Sequence, residues 1–451
     1  QGQLGSSSPA LETFVDAARE GEAEAGGRRH GHLSLGWDGR VLAVDAPAEV
    51  RAAIRRAGLP LSRFRRLDAG GGVVTPGLVD PHTHLLFAGS RERELEMRQR
   101  GAAYLEILAA GGGILSTVAA TRAASPEELR AHGRRWLSEM LRHGTTTVEA
   151  KSGYGLDVAT ELRLLEVAAE LGREGPVDVV PTFLGAHAVP AEFRDRPDPT
   201  GSYVAHVIGS QLPAVAAQGR ARFCDVFCER GVFSAEQSRR ILLAASALGL
   251  GPRLHADELA PSGGAELAAE VGALSADHLA APSAAGIAAL AAAADAGRPV
   301  VAVLLPATTW FLMKDRHAPA RRFIEAGVPV ALGTDFNPGT SPTPSLPLVT
   351  TLAALHLRMT PAEALAAVTV NAAHALGRLS AGPSSGRQAS IPPPRASAVI
   401  ELVSRSNDPS LVAAAVDSLG DPPARAPMSI APGADVSPSP ASDELVAALG
   451  A

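Results

Sequence analysis

Between residue 73 and about residue 340, short apolar runs alternate with longer stretches whose apolar positions recur every three to four residues. The runs are "GLVDPHTHLLF", "TTTVEAKSGYG", "VDVVPTFLGAH", "RFCDVFCERGVF", "GPRLHADEL", "GALSADHLA", "RPVVAVLLPATT" and "VPVALGTDFNPG". Their length and their β-branched and aromatic content predict strands. Between them lie helical patterns such as "DVATELRLLEVAAELGREG", with apolar residues on one face. Strands alternating with helices predict a parallel sheet of the α/β class, and eight such repeats predict a closed (β/α)8 barrel of the TIM type, with a doubly wound open sheet as the alternative. The barrel is favoured because nearly every run ends in a polar residue able to do chemistry, as happens when side chains converge at a barrel's C-terminal face.

The flanks read differently. Residues 1–35 are small, polar and irregular, and disorder is expected there. "GHLSLGWDGRVLAVD" predicts two short strands around a "WDGR" turn, and "FRRLDAGGGVVTPG" predicts another, so residues 36–75 are expected to form a small, partly truncated β-sandwich. The barrel then occupies 76–380 and closes with two helices in "TPAEALAAVTVNAAHALGRL". Residues 381–451 open with the linker-like "AGPSSGRQASIPPPRASA" and read as a Pro/Ser/Ala-rich tail of low order.

A net charge of −6 over 451 residues offers no basic field for nucleic acid or an anionic membrane, which leaves a small molecule as the expected partner. The two cysteines, Cys224 and Cys228, lie four apart on one predicted strand, a poor disulfide geometry that suits a reducing compartment. The start of the chain lacks the basic and apolar segments of a secretion signal. Its most apolar region is interrupted by Asp295, Arg298 and Pro299 before reaching membrane-spanning length. A soluble, cytoplasmic protein is expected.

His82 and His84 flank one threonine at the end of the first run, and residues two apart on a strand point the same way. His255 ends "PRLH", His278 ends "LSADH" and Asp335 ends "VALGTD". Each alone reads as an ordinary hydrogen-bonded loop residue, but together they fall at one end of a barrel. His82, His84, His255 and Asp335 would supply three nitrogens and a carboxylate, a set suited to zinc or iron with a position open for water. Glu258, three residues past His255, can accept or deliver a proton there, or can be a first-turn helix carboxylate. His278 can polarise an attacked carbonyl or orient the nucleophile.

The segments "PGLVDPHTH", "GGGILSTVAATR", "EAKSGYGL", "FLGAHAVP", "DVFCERGVF", "LHADEL", "DHL" and "LGTDFNPGTSP" resemble the amidohydrolase superfamily and, within it, the imidazolonepropionase family, over about residues 70–380. "EAKSGYGL" with "GTDFNPGT" is the more specific pair. The resemblance implies metal-dependent hydrolysis of 4-imidazolone-5-propanoate to N-formimidoyl-L-glutamate in histidine degradation, with one Zn(II) or Fe(III) per chain and a homodimer allowed. It implies His82, His84, His255 and Asp335 as metal ligands, with Glu258, His278 and Asp335 catalytic. It further implies Arg91 as the contact to the propanoate, and Tyr154, His187, Glu258, Asn337, Gly339 and Thr340 as other substrate contacts. Lys151 could instead mark a binuclear site if carboxylated, or form a local salt bridge; one metal is expected. The family's returning "G-K-x-A-D-L-V" strand is replaced by "GRLSAGPSSGRQ", which leaves the sandwich half built. A mononuclear deaminase of a nucleobase-like ring and a non-catalytic scaffold are the rival readings.

Overall fold

The computed structural model describes residues 32–35, 41–45, 47–56, 58, 73–102, 106–107, 111–378 and 402–403. Eight strands form one sheet, each parallel to the next in chain order. They are β1 (Leu78–Asp80), β2 (Thr145–Lys151), β3 (Asp178–Ala186), β4 (Phe223–Cys228), β5 (Gly251–Ala256), β6 (Ser275–His278), β7 (Val301–Leu304) and β8 (Val330–Leu332). Each lies within one of the eight predicted runs. The first is shorter than expected: β1 stops at Asp80 because Pro81 has no amide hydrogen to continue the ladder. Extended chain resumes at Thr83, which bridges Phe336.

At that bridge the barrel closes. The amide of Asp335 donates to the carbonyl of His82 (3.0 Å) and the amide of His84 to that of Phe336 (2.9 Å). Just before them, the buried Asp80 carboxylate accepts from the Thr334 amide (3.0 Å) and hydroxyl (2.6 Å). The chain after β8 therefore meets the chain after β1, which rules out the open-sheet alternative.

Helices cover the outside. Pro126–Arg142 begins with a capping box: the Ser125 hydroxyl accepts from the Glu128 amide (3.2 Å) and the Glu128 carboxylate from the Ser125 amide (2.8 Å). Its buried face is Leu129, Gly133, Leu137 and Met140. Gly133 lets the helix Val158–Glu174 approach closely, since a Cβ there would displace the Leu171 and Leu86 side-chain methyls. Inside the barrel an apolar layer of Val79, Val180, Phe223, Val301, Val303 and Ala331 packs with Ala372, Ala375 and Leu376. That layer fills the N-terminal half of the barrel and leaves the C-terminal half to polar side chains.

Outside the barrel, His32–Leu35 pairs antiparallel with Val41–Asp45, a pair of strands around the predicted turn. The helix Pro47–Arg56 follows, an element that the reading of 36–75 as strands did not include. Val73–Val74 pairs antiparallel with Leu402–Val403. The expected irregularity of 1–35 and of the 381–451 tail otherwise lies outside the described residues. Cys224 and Cys228 are free and buried. Among the described residues no helix is long and apolar enough to cross a membrane.

Candidate active site

Strand alternation decides which side chains face the barrel axis. On β2 these include Glu149 and Lys151, on β5 Arg253 and His255, and on β6 Ser275 and Asp277, with Arg253 opposite Ser275 and His255 opposite Asp277 in register. Above them, at the C-terminal end, the four predicted ligands come together. His82 Nε2 and His84 Nε2 each lie 3.5 Å from Asp335 Oδ1, and His255 Nε2 lies 3.4 Å from His84 Nε2.

The donor set fits a transition metal. His82 Nδ1 is 2.6 Å from Asp277 Oδ2 and His255 Nδ1 is 3.1 Å from Asp225 Oδ1. A carboxylate on Nδ1 fixes the proton there and turns the Nε2 lone pair outward. His82 Nε2 is buried and has no hydrogen-bond partner, a state that a metal ion relieves. Burial, reinforced by the neighbouring histidines and Lys151, holds His82 and His84 well below the usual histidine range, so both rings are neutral and able to act as ligands. On Asp335, Oδ2 accepts from the Thr308 hydroxyl (2.6 Å), which leaves Oδ1 for the cluster. His278 and Asp335 hold these positions with left-handed backbones, φ 71° and 52°, each of which costs about 1–3 kcal/mol.

Beneath the cluster lies an ion network that sequence reasoning missed. Lys151 Nζ contacts Asp225 Oδ2 (2.6 Å), Glu149 Oε2 (2.8 Å) and Asp277 Oδ2 (3.4 Å). Arg253 reaches Glu149 Oε1 (3.0 Å) and Asp277 Oδ2 (3.2 Å) and donates to the carbonyls of Ala375 (2.6 Å) and Pro81 (2.8 Å). Burial alone would raise Asp277, but Arg253 and Lys151 hold it below the usual carboxylate range. Asp225 is likewise held low, burial being outweighed by His255 and Lys151. Lys151 is thus enclosed by three carboxylates and is a salt-bridge lysine. The available signal was a charge inside an apolar parallel strand, as in "FCDVFC" and "PRLH", since such charges are buried only when paired.

Around the cluster stand the other candidates. Glu258 Oε2 is 3.7 Å from His278 Nε2. Burial pushes Glu258 up, but His278, Lys314 and His255 around it outweigh that and hold the carboxyl below the usual range. The His187 ring stacks on that of His84, centroids 4.9 Å apart and 14° between planes. The Tyr154 ring lies 5.7 Å from His84 and 5.3 Å from His187. Arg91 is not free: its Nε and Nη2 donate to Glu94 (2.8 and 2.9 Å), which leaves the Nη1 side of the fork. That side lies against Gly339, where any Cβ would collide with the guanidinium. Asn337 engages its own loop, accepting from the amides of Gly339 (2.9 Å) and Thr340 (2.8 Å) and donating to the Asp335 carbonyl (2.7 Å). The structure therefore gathers every predicted site residue at one end of the barrel, with Asn337 shaping the loop that carries Gly339 and Thr340.

The Amidohydrolase family model matches residues 73–176. The chain is 56% identical over 341 residues to an imidazolonepropionase of Geobacillus kaustophilus (strain HTA426), covering 76% of this chain and 78% of that protein. It is 59% identical over 318 residues to the imidazolonepropionase of Geobacillus thermodenitrificans (strain NG80-2), 69% of this chain and 72% of the relative. Among solved structures, a 5-methylcytosine deaminase from Klebsiella pneumoniae liganded with phosphonocytosine superimposes with a TM-score of 0.57 at 15% identity, over 78% of this chain and 85% of that one. An adenosine deaminase from Xanthomonas campestris with bound zinc gives 0.51 at 19%, over 79% and 77%. At such identities these two share the fold.

Proposed function

The chain belongs to the imidazolonepropionase family of amidohydrolases, and from that premise we propose how its own residues hydrolyse the cyclic amide of 4-imidazolone-5-propanoate to N-formimidoyl-L-glutamate in histidine degradation. The family is metal-dependent, and the reading assigns one Zn(II) or Fe(III) per chain to His82, His84, His255 and Asp335. The observation that carries it is that His82, His84 and Asp335 bring ligand atoms within 4.8 Å of one another, with His255 Nε2 3.4 Å from His84 Nε2 and the buried His82 Nε2 without a hydrogen-bond partner. A metal bound there lowers the pKa of water from about 15.7 to about 7 and polarises a carbonyl, which supplies the hydrolytic chemistry.

The protein's residues do the rest. Glu258, ionised at neutral pH, takes a proton from the attacking water and returns it to the ring nitrogen as the C–N bond breaks. His278, beside it, donates to the carbonyl oxygen on which charge develops. Arg91 binds the propanoate through the part of its fork that Glu94 leaves open. Gly339 and Thr340, held by Asn337, give that guanidinium its place. Tyr154 and His187 contact the ring.

The test of this reading is product identity. Purified, metal-loaded protein should abolish the absorbance of 4-imidazolone-5-propanoate and form N-formimidoyl-L-glutamate; ammonia release from cytosine or guanine with no such loss would establish the deaminase reading instead.

Two variants report on separate parts. Arg91→Ala should cost roughly ten- to a hundredfold in kcat/KM, the value of one charge-assisted hydrogen bond to the tail. Wild type and variant should then hydrolyse an analogue lacking the carboxylate equally poorly. An equal loss on both substrates would show Arg91 acting only through Glu94. Asp277→Asn removes the charge that orients His82, and metal affinity, read by competition with a chelator, should fall about 10- to 100-fold. An unchanged affinity would leave Asp277 a counter-ion to Arg253 and Lys151 alone.

A further inference from the structure

The loop leaving β2 carries Tyr154, and its backbone is gathered around a side chain that no part of the mechanism above uses. Glu161, in the first turn of Val158–Glu174, is fully buried. Its carboxylate accepts from the amides of Gly153 (3.1 and 3.0 Å), Gly155 (2.9 Å) and Leu156 (2.8 Å). Three amides aimed at one point make an anion-binding nest, and here the anion is internal. The loop's conformation depends on it: Gly153 and Leu156 are left-handed, φ 93° and 58°, and without Glu161 those amides would be buried donors with no acceptor.

The same loop is held from its other side. The Leu156 carbonyl accepts from the Tyr203 hydroxyl (3.1 Å) and from Gln211 Nε2 (3.2 Å). The same hydroxyl lies closer still to the carbonyl of Gly185 (2.7 Å), two residues before His187, so its one proton is shared between the two loops. Gln211 reaches the loop from a π-helical turn, Val207–Gln211, a distortion that re-aims side chains at functional sites. His187 Nδ1 in turn lies 3.0 Å from the Gly153 carbonyl. The loops after β2 and β3 are therefore interlocked, and the two rings they present, Tyr154 and His187, both face His84. The Tyr154 hydroxyl makes no hydrogen bond among the described residues, which leaves it available to a ligand.

We propose that Glu161 is a positioning residue for substrate: it holds the Tyr154 loop in its binding shape before the ring arrives, and Tyr203 couples that shape to His187. The proposal rests on the reading of this pocket as the imidazolone site. Glu161→Gln keeps the volume and one acceptor but turns an amide donor toward the Gly153 N–H. KM for 4-imidazolone-5-propanoate should rise about tenfold or more, as for a lost charge-assisted hydrogen bond, while kcat changes by less than about threefold and metal content stays at wild type. A purely structural role would instead lower the melting temperature and leave KM alone, and that result would overturn the proposal. Tyr203→Phe loses only a hydroxyl and decides the matter if Glu161→Gln does not fold: a raised KM supports the coupling, and a wild-type KM contradicts it. Wild-type protein inactive on this substrate would sink the functional reading itself, whereas active wild type with an unaltered KM in both variants would sink only this inference.

Discussion

Asp335→Ala should abolish turnover, by at least about a thousandfold at neutral pH, because without the metal the pKa of the attacking water returns toward about 15.7 from about 7. Asp335 is the single carboxylate among the four candidate ligands, and its Oδ1 is equidistant from His82 Nε2 and His84 Nε2 at 3.5 Å. The loss should appear first as metal content below one per chain after dialysis. The fold should survive, since Asp335 lies beyond β8 on the C-terminal face and outside the apolar layer that fills the other half of the barrel. Burial pushes the Asp335 carboxyl up, so in metal-free protein its removal also relieves an unfavourable charge. One complication is the backbone: φ 52° disfavours alanine. Asp335→Asn tolerates that conformation and can keep the Thr308 contact. Metal loss in both variants with near-wild-type melting identifies a ligand; full metal occupancy in both would remove Asp335 from the set.

Glu258→Gln should lower kcat by roughly 10²- to 10⁴-fold, the usual contribution of a positioned general acid or base, with metal content unchanged. The pH profile carries the sign. Burial raises the Glu258 carboxyl, but His278, Lys314 and their neighbours hold it lower than usual. The active, ionised form therefore persists as pH falls and is lost only when pH passes below that depressed value. Wild type should show an acid limb in kcat/KM beneath the ordinary glutamate range, and the variant should lack it. An acid limb kept intact in Glu258→Gln would assign the proton transfer to another group.

The strand order and the gathering of the candidate ligands at one end of the barrel were legible because both obey short-range rules. Period-two alternation put His82 and His84 on one side, and the ends of apolar runs marked His255, His278 and Asp335. The extent of β1 was misread because Pro81 was not weighed as a break in the ladder, although the alternation resumes after it through the Thr83 bridge to Phe336. The supporting groups were harder to see. Asp225, Asp277 and Arg253 sit in strands that read as apolar, and their meaning comes from pairing across neighbouring strands, which one strand's pattern does not encode. Glu161 was invisible for a different reason. In sequence it is a first-turn helix acid, a common and favourable placement, and only the folded loop turns three amides toward it. For Arg91, among Glu92, Arg93 and Glu94, sequence offers an ordinary solvated salt bridge beside the propanoate contact; in the structure the Glu94 partner is buried and orients the fork.

The central claim, one metal per chain doing hydrolysis at the His82–His84–His255–Asp335 cluster, is tested most directly by titrating metal-stripped protein with zinc while following the loss of imidazolone absorbance. Lys151 is paired with Asp225, Glu149 and Asp277, an arrangement that favours one ion over a carboxylated lysine bridging two. The account predicts activity that rises linearly to one equivalent of zinc per chain and then stays level. A break at two equivalents, or full activity before any metal is added, would contradict it.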